Sequence, residues 1–433
     1  MNPIPRRRFL QSSTAALAAS ATRVLGANDR VNVAITGLGG RGADHMESYA
    51  ALPIARIAAL VDVNQAARER GAALVKRLTG VEPKTYPDLR TALGDKDIDA
   101  VSLATPNHWH ALQTIWACRA GKDVYVEKPA SHNIYEAACM VEAARRHDRI
   151  VQVGTQSRSD ATIREAMDLL HSGAIGQVHL AKGLCFKRRP SIGHKPDGPV
   201  PPGLNWDEFL GPAPMRPFNE NRFHYNWHWF WDTGNGDIGN QGVHQMDIAR
   251  WGAGLDGWPT HAVSTGGKFL YNDDQETPNM QFATLGFGQA QIMFEVRGLI
   301  TPGEAEMRGG RNTVGNLFFG SEGYLVLDDE GYRVYKGEKR ELVKERRMPA
   351  EDRMNEAHMG NFLSAVRSRK ASDLNAPIEI GAMSANLCHL ANISYRVGRE
   401  LTLDPHGAFV NDPKATALRT RNYRAPWTMP NPL

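Results

Sequence analysis

The sequence predicts an α/β fold in two parts: a parallel, doubly wound sheet, then an α+β domain with a large, mostly antiparallel open sheet. Three observations carry this. From residue 31 to 155 short apolar runs alternate with helical periodicity. The first of those runs breaks into Gly37-Leu38-Gly39-Gly40-Arg41-Gly42, a G-x-G-x-x-G turn between strand and helix. Past residue 156 the alternation gives way to runs of period two separated by turn residues.

Residues 31–35 are the first strand. Gly37 makes the tight turn, Gly39 lets a pyrophosphate approach the backbone and Gly42 allows helix and strand to pack closely. The helix N-terminus then supplies N–H groups and positive dipole, the signature of a Rossmann dinucleotide site. The second strand, 55–61, ends on Asp62, twenty residues past Gly42. An acid there accepts bonds from the ribose hydroxyls and repels a 2′-phosphate, so NAD is expected over NADP. A helix over 65–78 follows, and 86–93 begins another short one. The third strand, 98–104, runs into Thr105-Pro106-Asn107-His108-Trp109-His110 and a helix to 119. The fourth, 124–126, ends in Glu127-Lys128-Pro129. After a helix over 135–146, the fifth, 150–153, ends in Gly154-Thr155-Gln156. Chemistry in such sheets gathers at the carboxyl ends of the strands, where these tails lie.

The second part begins with a helix over 162–171 and a strand over 178–185. A proline-dense loop spans 190–217, and an aromatic cluster fills 223–231. Runs at 281–287, 291–296, 315–319 and 324–327 read as an antiparallel meander. Helices over 356–369 and 379–399 close the core and are able to pack back on the first domain. The expected organisation is therefore a leader over 1–30, a Rossmann domain over 31–155, a substrate domain over 156–400 and an irregular tail over 401–433.

The leader is read from Arg6-Arg7-Arg8-Phe9-Leu10, which fits the twin-arginine pattern, followed by a weakly apolar stretch and small residues up to Ala27. It predicts export by the twin-arginine machinery to the periplasm. Removing residues 1–27 takes away four arginines and no acids, so the formal charge falls from +4 to zero. A neutral mature chain gives no electrostatic basis for binding nucleic acid or an anionic membrane. Past the leader, no run is apolar and long enough to span a bilayer. Cys118, Cys139, Cys185 and Cys388 lack metal or redox spacing and read as buried thiols. His224, His228 and His244 do not recur as a ligand pair on a helix, so no metal is expected.

Two elements carry the chemistry. Lys128, just past a strand tip, can hold a substrate oxygen as it becomes a carbonyl. The glycine-rich run from Gly234 to Gly242 leads into a helix bearing His244 and Asp247, three residues apart on one face. The carboxylate is expected to orient the ring, and the ring to accept a hydroxyl proton. Six of the nine tryptophans fall between Trp206 and Trp258. Flat aromatic faces suit the C–H faces of sugars, which makes Tyr225, Trp227, Trp229 and Trp231, with Arg158 and Arg222, candidates for a carbohydrate.

From residue 31 to 398 the chain resembles the Gfo/Idh/MocA oxidoreductases. The likeness rests on the glycine fingerprint, Thr105-Pro106-Asn107 with His110, Glu127-Lys128-Pro129 and the glycine-rich run into His244. The resemblance implies that Lys128 and His244 serve the hydride and proton steps. It assigns the cofactor to Gly37, Leu38, Gly39, Gly40, Arg41, Gly42, Asp62, Thr105, Pro106, Asn107, His110, Glu127, Lys128 and Gln156. Substrate falls to Lys128, Arg158, Tyr225, Trp227, Asn240, His244 and Asp247. Where the family pattern has an acid four residues before the histidine, this chain has Asn240, which can orient a hydroxyl but not take its proton. Open sheet faces pair subunits in this family, so a homo-oligomer is expected. Export without a soluble NAD pool implies a tightly held cofactor recycled within each turnover on a sugar. The alternatives are an NAD-dependent glycoside hydrolase working by transient oxidation, elimination and water addition, and a non-catalytic NAD-binding protein.

Overall fold

The computed structural model describes residues 30–430 apart from 302, 305, 309–311 and 352. The twin-arginine segment lies outside the described residues. The first domain runs β1 (Val31–Thr36), α1 (Gly40–Ala51), β2 (Ala55–Val61), α2 (Gln65–Thr79), β3 (Lys84–Tyr86), α3 (Leu89–Leu93), β4 (Ala100–Leu103), α4 (Asn107–Arg119), β5 (Asp123–Val126), α5 (Ile134–Arg146) and β6 (Val151–Val153). Its strands are all parallel, in the order β3-β2-β1-β4-β5-β6. The order reverses between β1 and β4, and a cleft opens at such a switch point. Register fixes the rest: Thr36 lies opposite Val61 and Leu103, Leu103 opposite Val126, and Val126 opposite Val153. The tails after these residues therefore leave the sheet along one edge.

Successive residues of β1 face opposite layers. Ala34 packs with Ile115 and Met140 of α4 and α5, while Val33 and Ile35 pack with Met46 and Tyr49 of α1. One expectation fails here. Residues 84–86 are an edge strand on β2, and the helix starts only at Leu89. Pro87 explains it: a residue before proline is pushed to extended backbone, and Asp88 then caps the helix by accepting from the Arg90 N–H at 2.8 Å.

The second domain contains α6 (Ala161–His171), β7 (Val178–Phe186), α7 (Trp206–Leu210), α8 (Gly236–Asn240), α9 (Gly242–Gly252), β8 (His261–Gly267), β9 (Met280–Phe287), β10 (Ala290–Arg297), β11 (Thr313–Gly320), β12 (Gly323–Asp328), β13 (Gly331–Lys336) and β14 (Glu341–Arg347). Then come α10 (Met354–Ser368), α11 (Ile378–Val397), β15 (Leu401–Thr402) and α12 (Pro413–Ala417). The nine-stranded sheet has the order β14-β13-β12-β11-β7-β10-β9-β8-β15. It is not the simple meander expected. β7 lies between β10 and β11, parallel to the former and antiparallel to the latter. Alternation marks a strand but not its distant partner. The tail is also more regular than expected, with β15 pairing β8 and α12 capped by Asp412.

One face of the large sheet is covered by α6, α9 and α11. α10 and α11 also reach the first domain. Met359, Phe362 and Leu363 pack with Val33 and Ile35, and Ile378 and Ala385 join the layer around Ala34. The other sheet face leaves Phe282 and Met293 exposed. The four cysteines are buried and unpaired with one another. Among the described residues no helix is long and apolar enough to cross a membrane.

Candidate active site

The glycine loop is built as its sequence requires. Gly37 has φ +84°, and a Cβ there would sit 2.7 Å from the carbonyl carbon of Ala104. A Cβ on Gly42 would be 2.0 Å from the Gly37 oxygen. Gly39 and Gly40 instead face open space, with nothing within 4 Å of a built Cβ. α1 has neither a side-chain cap nor an acid in its first turn, so its leading amides are not satisfied by side chains. Asp62 accepts from the Leu38 N–H at 2.7 Å and the Asn64 N–H at 2.8 Å, and burial raises its pKa. The adjoining cleft holds about 180 Å³ of water-accessible space and is lined by Gly37–Gly39, Asp62, Thr105, Pro106 and Trp227, among others. Open glycine backbone, free helix amides and an acid at the second strand tip fit a bound dinucleotide.

Several residues expected on the cofactor turn inward instead. Glu127 is buried, and its Oε1 accepts from Arg41 Nε at 2.8 Å, His45 Nε2 at 3.1 Å and Gln156 Nε2 at 2.9 Å. Burial alone would raise its pKa, yet Arg41 and His45 hold it well below the usual carboxylate range. Arg41 also bonds Asp44 and Asn355. Arg41, His45, Glu127 and Gln156 are not among the residues that line that cleft. His110 is likewise buried, with its ring nitrogens 2.7 Å from the Pro129 and Thr105 carbonyls, so it ties the β4 tail to the β5 tail. Thr105 Oγ1 donates to Gln113 at 2.8 Å, and Asn107 Nδ2 donates to Asn235 Oδ1 at 2.9 Å.

At the β5 tip, Lys128 precedes a cis peptide bond to Pro129, and its Nζ donates to the Asn240 carbonyl at 2.9 Å. Burial lowers the Lys128 pKa against the pull of Glu127. Asn240 Nδ2 donates to the Tyr225 hydroxyl at 2.9 Å and reaches Asp237 at 3.3 Å. Arg189 grips Asp237 with contacts of 3.0 and 2.7 Å and also donates to the Tyr225 hydroxyl at 3.2 Å. Asp237 is thus held as an ion pair. Its carboxylate does not stand in for the acid missing at 240.

The His244 ring is partly buried and makes no hydrogen bond to any described residue. Burial, with the Lys128 charge nearby, pushes its pKa down to about 3. It is therefore a neutral imidazole near the Lys128 charge.

Asp247 does not orient that ring. Its carboxylate is 1% exposed and takes Arg158 Nε at 2.7 Å, Arg158 Nη2 at 3.0 Å and Ser384 Oγ at 2.6 Å. Arg158 and Asp247, both expected on the substrate, form a buried ion pair that ties α9 to the segment after β6. The i, i+3 spacing placed the acid near the histidine but could not reveal Arg158 as its partner. Trp227 stacks on His228 at 3.6 Å and lines the cleft of Asp62. Arg222 bonds Glu276, and Trp231 lies under Arg396. Tyr225 and Trp229 do border open space: with Arg189 and Asn221 they line a second cleft of about 520 Å³. Phe223 and His224 belong to both clefts. Arg189 and His45 carry no local sequence signal, since each finds its acidic partner through the fold.

Two family models match the chain. One, described as an oxidoreductase family with an NAD-binding Rossmann fold, matches residues 31–155. The other, described as the same family's C-terminal alpha/beta domain, matches residues 177–267 and 322–429. Inositol 2-dehydrogenase 3 of Saccharopolyspora erythraea is 33% identical over 164 residues, 37% of this chain and 46% of the relative. A glycosyl hydrolase family 109 protein of the same organism is 34% identical over 164 residues, 36% and 35% of the two chains. Levoglucosan dehydrogenase of Pseudarthrobacter phenanthrenivorans is 28% identical over 225 residues, 51% and 50%. The chain thus spans half or less of each of these relatives. Among solved structures, levoglucosan dehydrogenase in complex with NADH and levoglucosan superposes with a TM-score of 0.66 at 20% identity, covering 86% of this chain and 99% of that one. The WlbA dehydrogenase from Bordetella pertussis, in complex with NADH and UDP-GlcNAcA, gives 0.63 at 18%, covering 87% and 99%. At these identities the likeness is one of fold.

Proposed function

The chain belongs to the Gfo/Idh/MocA oxidoreductase family, and on that premise we propose that it oxidises a ring hydroxyl of a sugar or sugar derivative with NAD. The observation that carries this reading is the pairing at the sheet edge: the Lys128 ammonium on the Asn240 carbonyl, beside a neutral His244 with no ring partner. Bound NAD would supply the hydride acceptor. Gly37 to Gly42 and the α1 amides would hold its pyrophosphate, and Asp62 its ribose, which favours NAD over NADP. The Lys128 ammonium holds the substrate oxygen as its C–O bond becomes C=O, and His244 accepts the hydroxyl proton. Asn240 and Tyr225 orient neighbouring hydroxyls. The sugar, polyol and sugar-nucleotide names among the relatives and structural neighbours support this substrate class.

The leader motif supports export to the periplasm with NAD tightly held and returned to its starting state in each cycle. The exposed sheet face with Phe282 and Met293 supports a homo-oligomer. A second reading, NAD-dependent glycoside hydrolysis, is favoured by the likeness to a glycosyl hydrolase family 109 protein. Transient oxidation would acidify the neighbouring C–H, the aglycone would leave, and water would add. The test is mature protein purified without added nucleotide and incubated with free sugars and aryl glycosides. Aglycone release without added NAD selects hydrolysis with a travelling cofactor. Oxidised sugar formed only with added NAD selects a dehydrogenase. Neither product, with NAD still bound, leaves a non-catalytic binding protein.

A further inference from the structure

The proline-dense loop after β7 and the aromatic cluster behind it reach across to the first domain. The Gln65 N–H donates to the Gly203 carbonyl at 2.9 Å, and the Asn205 N–H donates to the Val63 carbonyl at 3.1 Å. Between them Asn64 and Leu204 form an antiparallel bridge. This short ladder starts one residue past Asp62, the acid expected on the ribose. Arg90 of α3 then donates to both Glu208 oxygens at 3.1 Å, and the Phe209 carbonyl accepts from Trp109 Nε1 of α4 at 3.0 Å. Packing there is close, since a Cβ on Gly211 would lie 2.0 Å from the Trp109 ring. From the C-terminal tail, Arg424 donates to the carbonyls of Asp207, Gly211 and Ala213 at 2.8, 3.0 and 3.1 Å.

These ties hold a small core in place. Leu204, Trp206, Phe209, Leu210 and Phe223 are buried together, and Val63 and Trp227 pack against them. Trp206 stacks on Phe209 with ring centroids 4.9 Å apart. Phe209, Phe223 and Trp227 also line the nucleotide cleft, which they share with Asp62, Pro87 and Pro106 of the first domain. The first domain alone therefore does not complete that cleft, and the second completes it with aromatic rings. Ring faces and apolar side chains beside the ribose acid suit a purine, whose faces are flat and apolar.

We propose that residues 203–227 form a strap that closes the adenosine half of the cofactor site, with Trp227 packing against the purine, and that this strap retains NAD between turnovers. The proposal rests on the reading of the cleft as an NAD site and goes beyond it in assigning part of that site to the second domain. Trp227, expected on the sugar, is thereby given to the cofactor. Release of NAD then requires the strap to open, which separates Gly203–Asn205 from Val63–Gln65 and lifts the small core off Val63. A cofactor held in this way is what the proposed export demands.

The test uses the full protein after removal of bound nucleotide and needs no sugar. Hydrogen exchange read by mass spectrometry, with and without saturating NAD, should show slower exchange over residues 203–227 when NAD is bound. Release of bound NADH into excess NAD, followed by nicotinamide fluorescence in a stopped-flow instrument, should be about tenfold or more faster in Trp227→Ala, as loss of a base-stacking ring requires. Trp227→Phe, which keeps a ring, should release NADH at close to the wild-type rate. The exchange measurement is made on the wild type and stands even if Trp227→Ala fails to fold. NAD binding without protection of 203–227, or with unchanged release in a folded Trp227→Ala protein, overturns the strap and leaves the NAD site standing. Absence of NAD binding overturns the strap together with the reading on which it rests.

Discussion

Replacing Asp247 by alanine should destabilise the protein without disarming His244. Asp247 and Arg158 have side-chain exposures of 1% and 8%, and two short contacts join them. Removing the carboxylate leaves a buried guanidinium without its anion, a change that costs about 3–5 kcal/mol in comparable buried pairs. Ser384 keeps the Ile380 carbonyl at 3.1 Å, so its loss is small. Arg158 also lies over the Trp251 ring at 4.8 Å, which offsets part of the cost and places the expectation at about 3 kcal/mol. The assay is urea unfolding followed by tryptophan fluorescence, with turnover measured on the same preparations. A double variant, Arg158→Met with Asp247→Leu, removes both charges and should recover about 1–4 kcal/mol of the loss. If the single variant unfolds like wild type while turnover collapses, the carboxylate serves the histidine after all and the ion-pair assignment is refuted.

Other consequences follow from the same geometry. Gly39→Ala puts a methyl group into the open space of the loop, so NAD affinity measured by calorimetry should fall at least about tenfold with no change in melting temperature. Gly42→Ala, whose methyl would meet the Gly37 oxygen, should lower the melting temperature itself. Asp62→Ser should relax the preference for NAD over NADP in equilibrium binding, and weaker support of the Leu38 N–H should cost about 1 kcal/mol. Acid should also destabilise the fold. Burial pushes His108 and His389 down to about 3 from the ordinary 6.5, so the unfolded chain takes up protons that the folded chain refuses. That stability is complete above pH 6.5 and is lost as pH falls toward 3; by pH 5 the loss amounts to about 2 kcal/mol for each histidine. A melting temperature that stays level from neutral pH down to about 5 would contradict this.

The sequence made the first domain legible because its signals are local. The glycine spacing, the acid at the second strand tip and the lysine after β5 each follow from a short stretch, and register then brings the tips to one edge. β3 was obscured because Pro87 hides a three-residue edge strand in front of a helix. The insertion of β7 between β10 and β11 was not readable, since a strand's partner is chosen across a hundred residues and its alternation is the same either way. The site divides along the same line. Lys128 and His244 stand out by their neighbours in sequence, and the fold brings them together. The roles of Glu127, Arg158 and Asp247 depend on partners 86, 89 and 137 residues away, respectively Arg41, the Arg158–Asp247 pair itself and Ser384. Glu127, Arg158 and Asp247 are buried and paired within the protein, because buried charges must be paired, and spacing alone does not reveal the pairing.

The most direct measurement follows reduced nicotinamide in a single turnover of NAD-loaded protein mixed with its sugar, comparing wild type with Lys128→Met. The variant should bind NAD as tightly as wild type but form reduced nicotinamide about a hundredfold or more slowly, as loss of a positioned polar catalyst requires. Equal rates in the two proteins would show that Lys128 does not hold the reacting oxygen, and the assignment of this edge as the reaction site would fail with it.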